Sequence, residues 1–381
     1  MSRGQAGASV IEVIKSGLLD SVQDWGRPGQ AAMALSRGGA MDRDAMALAN
    51  ALVGNTGDEA VLELTGPGPE LRFCCDVWIA CVGAHHRIIR RDAKGSEKAN
   101  ANANANANAN ANAKGVPVPT HRPVFIAAGS VLRWQAPELG WRSWLAVAGG
   151  LSMPQVLGSR SAHLAANLGP GRLLAGDRLA LVEAAESLAR RRAEKVLGTA
   201  PALSRRAWPG WLIADPLPRG WPIIALPVLA GRHFGALSSQ AREALLGQTW
   251  TVGPQSNRQG LRLHGQPLDT REMPQLASEP VSVGTVQLPP AGEPVILLAE
   301  HQTTGGYPRV LEVASAAAPL LAQAGAGCRV RLQLIGLEEA DRLAQQQVRE
   351  FDLRLRAVRQ ACGDPSDSVQ VTHPPEQGRP Q

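Results

Sequence analysis

Apolar positions along the chain fall in short bursts. "SVIEVIKSG", "AVLELTG", "DVWIACVGA", "VFIAAGSVLRW" and "SWLAVAGG" each carry about four to eight strand-type residues, many of them β-branched, closely followed by Gly or Pro. Such runs predict strands separated by turns, and the 40 glycines and 28 prolines fit a turn-rich chain. Helical periodicity is confined to a few places. In "MDRDAMALANALVGN" (Met41 to Asn55), Met46, Leu48, Ala49, Leu52 and Val53 share one face, Asp42 can cap the start and Gly54 ends it. A second helix is predicted from Leu337, with acidic residues in its first turn and basic ones later, as the helix dipole favours.

These elements divide the chain into two mainly-β blocks. The expected limits are 9–185 for the first, 186–220 for a polar linker and 221–345 for the second, with a disordered tail over 364–381. Inside the first block, Ala and Asn alternate over 99–113. Ala offers little surface to bury, and Asn competes for backbone hydrogen bonds, so an exposed loop is expected there. "DVWIACVGA" before the tract and "RPVFIAAGSVLRW" after it are expected to be consecutive strands.

Composition narrows the function. The net charge is +6, but the densest basic clusters, "ARRRAEK" and "SRRAW", fall in the linker and lack interleaved aromatics. This argues against nucleic acid and for a solvated strip or a docking site for an acidic partner. No apolar run is long enough to span a membrane, and the start lacks a secretory h-region, so a cytoplasmic protein is expected. The five cysteines and eight histidines show no metal spacing; no metal site is expected, and the thiols are read as buried and free. His85 and His86, near the Ala/Asn tract, are read as surface loop residues.

Candidate chemistry sits where polar and glycine residues are denser than turns require. In "DSVQDWGRPGQ", Gln23, Asp24 and Arg27 lie among Gly26, Pro28 and Gly29, so one turn can present an amide, a carboxylate and a guanidinium; an internal Asp24–Arg27 pair is the competing reading. Gly38 and Gly39 lead into the helix start at Asp42, where backbone N–H groups can meet an anion. "GPQSNRQGLRLHG" places Asn257 and Arg258 ahead of an alternating strand. "EHQTTGGYPRV" breaks an apolar strand into Glu300, His301, Gln302, Thr303, Thr304, Gly305, Gly306 and Tyr307, the sole tyrosine. Hydroxyls, amides and backbone N–H groups at a loop mouth suit a carbonyl-containing ligand, or simply bond their own backbone. His301 is the histidine best placed as an acid or base. No G-x-x-x-x-G-K-[ST] occurs, so the chain shows no recognisable ATP motif.

In order along the chain, "SVQDWGRPG", "GGAMD", "ANALVGN", "LELTGPGP", "WLAVAGGL", "LGSRS", "GRLLAGD", "QSNRQGLRLHG", "GTVQLPPAGEPVILL" and "QTTGGYPR" resemble the biotin-dependent carboxyltransferase family, which includes the C subunit of 5-oxoprolinase, allophanate hydrolase subunit 2 and part of urea amidolyase. The resemblance implies two cyclophilin-like β-barrel domains with few short helices and a C-terminal helix. It implies a partner resembling allophanate hydrolase subunit 1 (the B subunit of 5-oxoprolinase), a lactam-utilisation-like third subunit, and ATP-dependent opening of 5-oxo-L-proline to glutamate. ATP would be used by the complex, and no cofactor would be bound covalently. Two alternatives stand beside it: a carboxyltransferase taking the carboxyl of carboxybiotin from a separate carrier to urea or a similar amide, and a non-catalytic regulator of a subunit-1-like partner. Under the enzymatic readings Glu300, His301 and Tyr307 are the catalytic candidates. Gln23, Asp24, Arg27, Asp42, Asn257, Arg258, Gln302, Thr303, Thr304, Gly305 and Gly306 are the candidate substrate contacts. The chain departs from the family pattern at Gly231–Arg232, where Gly-Pro is usual, at Gln259 in place of Met, and at Glu300 in place of Asp.

Overall fold

The structure, a computed structural model, describes residues 10–91, 115–182, 223–274 and 276–362. The Ala/Asn tract at 99–113, the 186–220 linker and the 364–381 tail lie outside the described residues.

The first block is built from eleven strands: β1 (Val10–Lys15), β2 (Ser21–Gln23), β3 (Val61–Thr65), β4 (Glu70–Phe73), β5 (Val77–Gly83), β6 (His86–Arg91), β7 (Val116–Val118), β8 (Pro123–Ile126), β9 (Val131–Pro137), β10 (Arg142–Val147) and β11 (Arg178–Ala180). They form a six-stranded sheet, β11-β1-β4-β9-β6-β7, and a five-stranded sheet, β2-β3-β10-β5-β8. Side chains alternate across each strand, so each contributes one set of residues to the space between the sheets. Ile11, Leu71, Phe73, Leu132 and Trp134 from one sheet meet Leu62, Leu64, Ile79, Leu145 and Val147 from the other. The opposite face of the five-stranded sheet is also covered. Trp78, Ala80, Val82, Trp144 and Ala146 pack under helix α1 (Arg43–Leu52). Burial on both faces explains why "DVWIACVGA" and "SWLAVAGG" read as continuous apolar runs rather than alternating ones.

The second block closes on itself. Strands β12 (Ile224–Ala230), β13 (Trp250–Val252), β14 (Gly260–His264), β16 (Thr285–Gln287), β17 (Val295–Leu297), β19 (Arg309–Val313) and β20 (Arg329–Leu334) form a barrel in the order β12-β19-β16-β17-β14-β13-β20. Closure leaves no free strand edge. All its ladders are antiparallel except β12 with β20. Outside it, β15 (Glu279–Pro280) pairs with β18 (Thr304–Gly305). Two short helices, α2 (Ser239–Gly247) and α3 (Ala318–Gln323), pack Ala241, Leu245 and Leu321 onto the barrel core.

The chain then crosses back. Helix α4 (Leu337–Ala361), the helix expected from Leu337, buries Phe351, Leu355 and Val358 against α1 and Trp144. The spacing of those three is one helical face. The last element of the second block therefore packs on the first.

Several local expectations are corrected. β6 and β7 flank the Ala/Asn tract and pair with each other, Arg90 opposite Val116. "DVWIACVGA" is not the preceding neighbour; it is β5, paired with β8, and "RPVFIAAGSVLRW" divides into β8 and β9 on different sheets. His86 is buried rather than exposed, its ring bonded to Ser143 Oγ and the Gly66 carbonyl (2.8 Å each). All five cysteines are free but only Cys81 is buried.

Candidate functional site

The candidate residues separate into three places: a clasp, a buried ion cluster and an open loop. The clasp is the turn after β2. The Asp24 carboxylate accepts from the Gly26 N–H (2.8 Å), the Arg160 N–H (2.6 Å), Ser159 Oγ (2.7 Å) and Ser161 Oγ. These donors consume both its oxygens and tie the Q-D-W-G-R-P-G turn to the L-G-S-R-S loop. Arg27 is fully buried, yet it makes no ion pair with Asp24: Nη2 donates to the Ser161 carbonyl (2.6 Å) and Nε to that of Val156 (3.3 Å). Its Nη1 has no hydrogen-bond partner among the described residues. Burial lowers its pKa, and the charges of Asp24 and Glu300 oppose that shift. Gln23 is equally buried, donating to Ser21 Oγ (2.9 Å) and the Ala162 carbonyl (3.1 Å).

The ion cluster lies between the two blocks. Arg258, which precedes β14, donates through Nε to Glu300 Oε1 (2.5 Å), through Nη1 to Glu63 of β3, and through Nη2 to the Gly39 carbonyl. Burial works against its charge, but Glu63 and Glu300 together outweigh burial and raise its pKa. Glu63 also accepts from the Met41 N–H (2.8 Å) and Trp144 Nε1 (3.0 Å), and Glu300 from the Ala165 N–H (3.0 Å). Beside them Arg142 donates to the Ala322 carbonyl (2.8 Å); burial brings its pKa down to about 10, with Glu63 opposing and Arg258 adding to the fall. Glu63 and Glu300 thus share the Arg258 guanidinium, with Arg142 Nε 3.8 Å from Glu63.

Ser36, His163 and Glu300 are arranged in series: His163 Nε2 lies 2.9 Å from Ser36 Oγ, and Nδ1 lies 3.9 Å from Glu300. In a hydrolytic triad the imidazole accepts the hydroxyl proton. Here Nδ1 accepts from the Ala166 N–H (3.2 Å), and burial lowers the pKa. The neutral ring therefore carries its proton on Nε2 and donates it to Ser36. Ser36 is held, not activated.

The open loop is T-T-G-G-Y-P. His301 Nδ1 lies 2.6 Å from the Gln302 carbonyl, which can only accept, so Nδ1 holds the proton and Nε2 presents a lone pair. Nε2 has no hydrogen bond among the described residues, and burial holds the pKa below the ordinary histidine value. Gln302 and Thr304 are exposed, Thr303 and Gly306 half-buried and Gly305 buried. Tyr307 is 45% exposed.

Two candidates stand apart. Asn257 is exposed and turns its own loop, its Oδ1 accepting from the Gln259 N–H (2.8 Å). Asp42 caps α1, accepting from the Ala45 N–H (3.0 Å), and borders a cavity of about 180 Å³ between the blocks. Burial, then the neighbouring charge of Asp44, pushes its pKa up to about 7. Sequence reasoning brought Arg258 and Glu300 forward but missed Glu63, Arg142, His163 and Ser36. The one available signal was the lone Glu in the apolar run "VLELT". Among the described residues no group of His, Cys, Asp and Glu could hold a metal ion, and no helix is long and apolar enough to cross a membrane.

Comparison with known proteins agrees with this architecture. The chain is 32% identical over 346 residues to the C subunit of 5-oxoprolinase from Escherichia coli, covering 90% of this chain and 97% of the relative. It is 28% identical over 337 residues to the corresponding 5-oxoprolinase C subunit of Haemophilus influenzae, covering 88% and 94% respectively. The crystal structure of the K. lactis urea amidolyase shares the fold, with a TM-score of 0.72 at 23% identity over 92% of this chain; the match is only 20% of that larger protein. The family model for the carboxyltransferase domain, subdomains A and B, matches residues 33–334, and the chain belongs to that family.

Proposed function

We propose that this chain is one component of a multi-subunit, ATP-dependent hydrolase that opens an amide or lactam, with 5-oxo-L-proline as its substrate. The observation that carries the proposal is the match along 97% of a 5-oxoprolinase C subunit. The site geometry supports it. A lactam carbonyl can be held by hydrogen-bond donors alone, and the T-T-G-G-Y-P loop offers amides, hydroxyls and backbone N–H groups. His301, neutral and with Nε2 free, suits general-base chemistry near neutral pH. In this reading ATP is consumed elsewhere in the complex. The partners are a protein resembling the 5-oxoprolinase B subunit (allophanate hydrolase subunit 1) and a lactam-utilisation-like third subunit, working together in the cytoplasm.

A second reading follows from the family description: carboxyl transfer to urea or a similar amide, with biotin brought by a separate carrier. Arg27 Nη1, a buried guanidinium N–H without a hydrogen-bond partner among the described residues, has the chemistry to meet the carboxylate such a carrier would present.

The test is 5-oxoproline-dependent ATP hydrolysis by the chain purified alone and with both partners. Turnover only in the full complex supports the lactam reading. A complete complex that turns over no 5-oxoproline refutes it, and urea-dependent conversion of carboxybiotin to biotin with formation of N-carboxyurea would install the second reading.

A further inference from the structure

Gln287 ends β16 beside a register shift between Val286 and Gln287. Such an irregularity re-aims a side chain. Gln287 is 2% exposed, and its Nε2 has no hydrogen-bond partner among the described residues. A buried donor left unpaired costs about 1–3 kcal/mol, so a use is expected for it. Its position suggests that use. A Cβ added to Gly305 would run into Gln287 Nε2 and would lie 2.8 Å from Gln302 Nε2. The two carboxamide nitrogens therefore converge on the bare Cα of Gly305. Both are donors, so in this orientation the two nitrogens do not satisfy each other. The Gln302 side chain is exposed and makes no hydrogen bond among the described residues, so it is free to swing aside.

We infer that Gln287 and Gln302 form a two-donor site for a single acceptor oxygen, the carbonyl of an amide, lactam or ureido group, kept open by Gly305. The inference deepens the proposed function and rests on its reading of the T-T-G-G-Y-P loop as the substrate loop. Gly305 is not among the glycines with positive φ, so backbone conformation does not explain why this position lacks a side chain. The space between the donors does. Gln302 covers the site when empty, and Gln287 sits beneath as the buried donor. His301, the preceding residue, brings the free ring nitrogen to the same loop.

The test uses the chain alone, with ¹⁵N-glutamine labelling. The side-chain NH₂ signals of Gln287 and Gln302 are assigned by their loss in Gln287→Met and Gln302→Met. The probes are 5-oxo-L-proline, urea and, as a control of urea-like shape without an acceptor oxygen, guanidinium at the same millimolar concentration. Both signals should move together on one saturation curve with 5-oxo-L-proline or urea and stay still with guanidinium. Gln287→Met should weaken binding about tenfold. Gly305→Ala should abolish it at an unchanged melting temperature, because the added methyl meets only the tips of two flexible side chains.

Silence of both signals toward both carbonyl probes overturns the inference, as does an equal response to guanidinium or undiminished affinity in Gln287→Met. The two proposals fail separately. A complex that turns over 5-oxoproline equally well with Gln287→Met removes this site and leaves the proposed function. Coupled binding at the two glutamines in a chain whose complete complex shows no turnover does the reverse.

Discussion

Arg258→Met should loosen the join between the two blocks more than any other single polar change. The guanidinium is 2% exposed and holds Glu63 from the first block and Glu300 from the second. Methionine fills much of the same space but leaves two carboxylates buried without their cation. Removing one partner of a buried pair costs about 3–5 kcal/mol, because the remaining charge stays desolvated. Arg142 limits the loss: its Nε is 3.8 Å from Glu63, close enough for partial compensation of that carboxylate but not of Glu300. For a chain of this size the expected fall in melting temperature is about 4–6 °C. The assay is thermal unfolding of wild type and variant between pH 4 and 8. The sign with pH is specific. An uncompensated buried carboxyl has a folded-state pKa above its unfolded value. Its penalty is absent at low pH, grows as pH rises past the unfolded pKa and is complete above the folded one. The gap between variant and wild type should therefore widen from pH 4 to pH 8. Glu63→Gln combined with Arg258→Met should recover part of the loss. A variant within about 1 kcal/mol of wild type at pH 8, or a gap that narrows with pH, would refute the reasoning.

Gly39→Ala should destabilise by about 2–4 kcal/mol by thermal unfolding, since φ is +82° and a Cβ would meet the Asp24 carbonyl at 2.7 Å. Asp42, with its pKa raised to about 7, favours the folded state only while protonated, so its contribution is full below pH 4 and lost as pH climbs to 7. Asp42→Asn keeps a good helix cap and should flatten that decline in denaturant unfolding across pH 4–8. Leu355→Ala should cost about 2–5 kcal/mol and Leu353→Ala almost nothing in the same measurement, because the former is 5% and the latter 65% exposed on α4. His301→Ala should lower turnover by the complex by about 10²–10⁴-fold, with wild-type activity falling only below the ordinary histidine range, since burial depresses this pKa.

The mainly-β class, α1 with its Asp42 cap, and the start of α4 were legible because each rests on local chemistry: a period of two, a period of 3.6, a capping side chain. The destination of α4 was not. Phe351, Leu355 and Val358 announce an apolar face, but nothing local says that it meets α1 of the other block. The pairing of β5 with β8 rather than with its successor was hidden for the same reason: ladder partners are chosen by long-range packing.

The same division holds within the site. Motif density brought forward the segments around Asp24, Arg258 and Glu300, because glycine-rich turns with several polar groups are visible in one dimension. Which of their atoms remain available is a three-dimensional matter. Asp24 is used up by serines more than a hundred residues away, and Arg258 by a glutamate of β3. Gln287 reverses the case. In "GTVQLPP" it reads as one more strand residue, and only its orphaned nitrogen beside Gly305 marks it out. Groups whose hydrogen bonds are complete hold the blocks together. Among the described residues the atoms left incomplete include Gln23 Oε1, Arg27 Nη1, Arg142 Nε, Gln287 Nε2 and His301 Nε2, so a ligand at this site is best sought where the hydrogen-bond accounting fails to close.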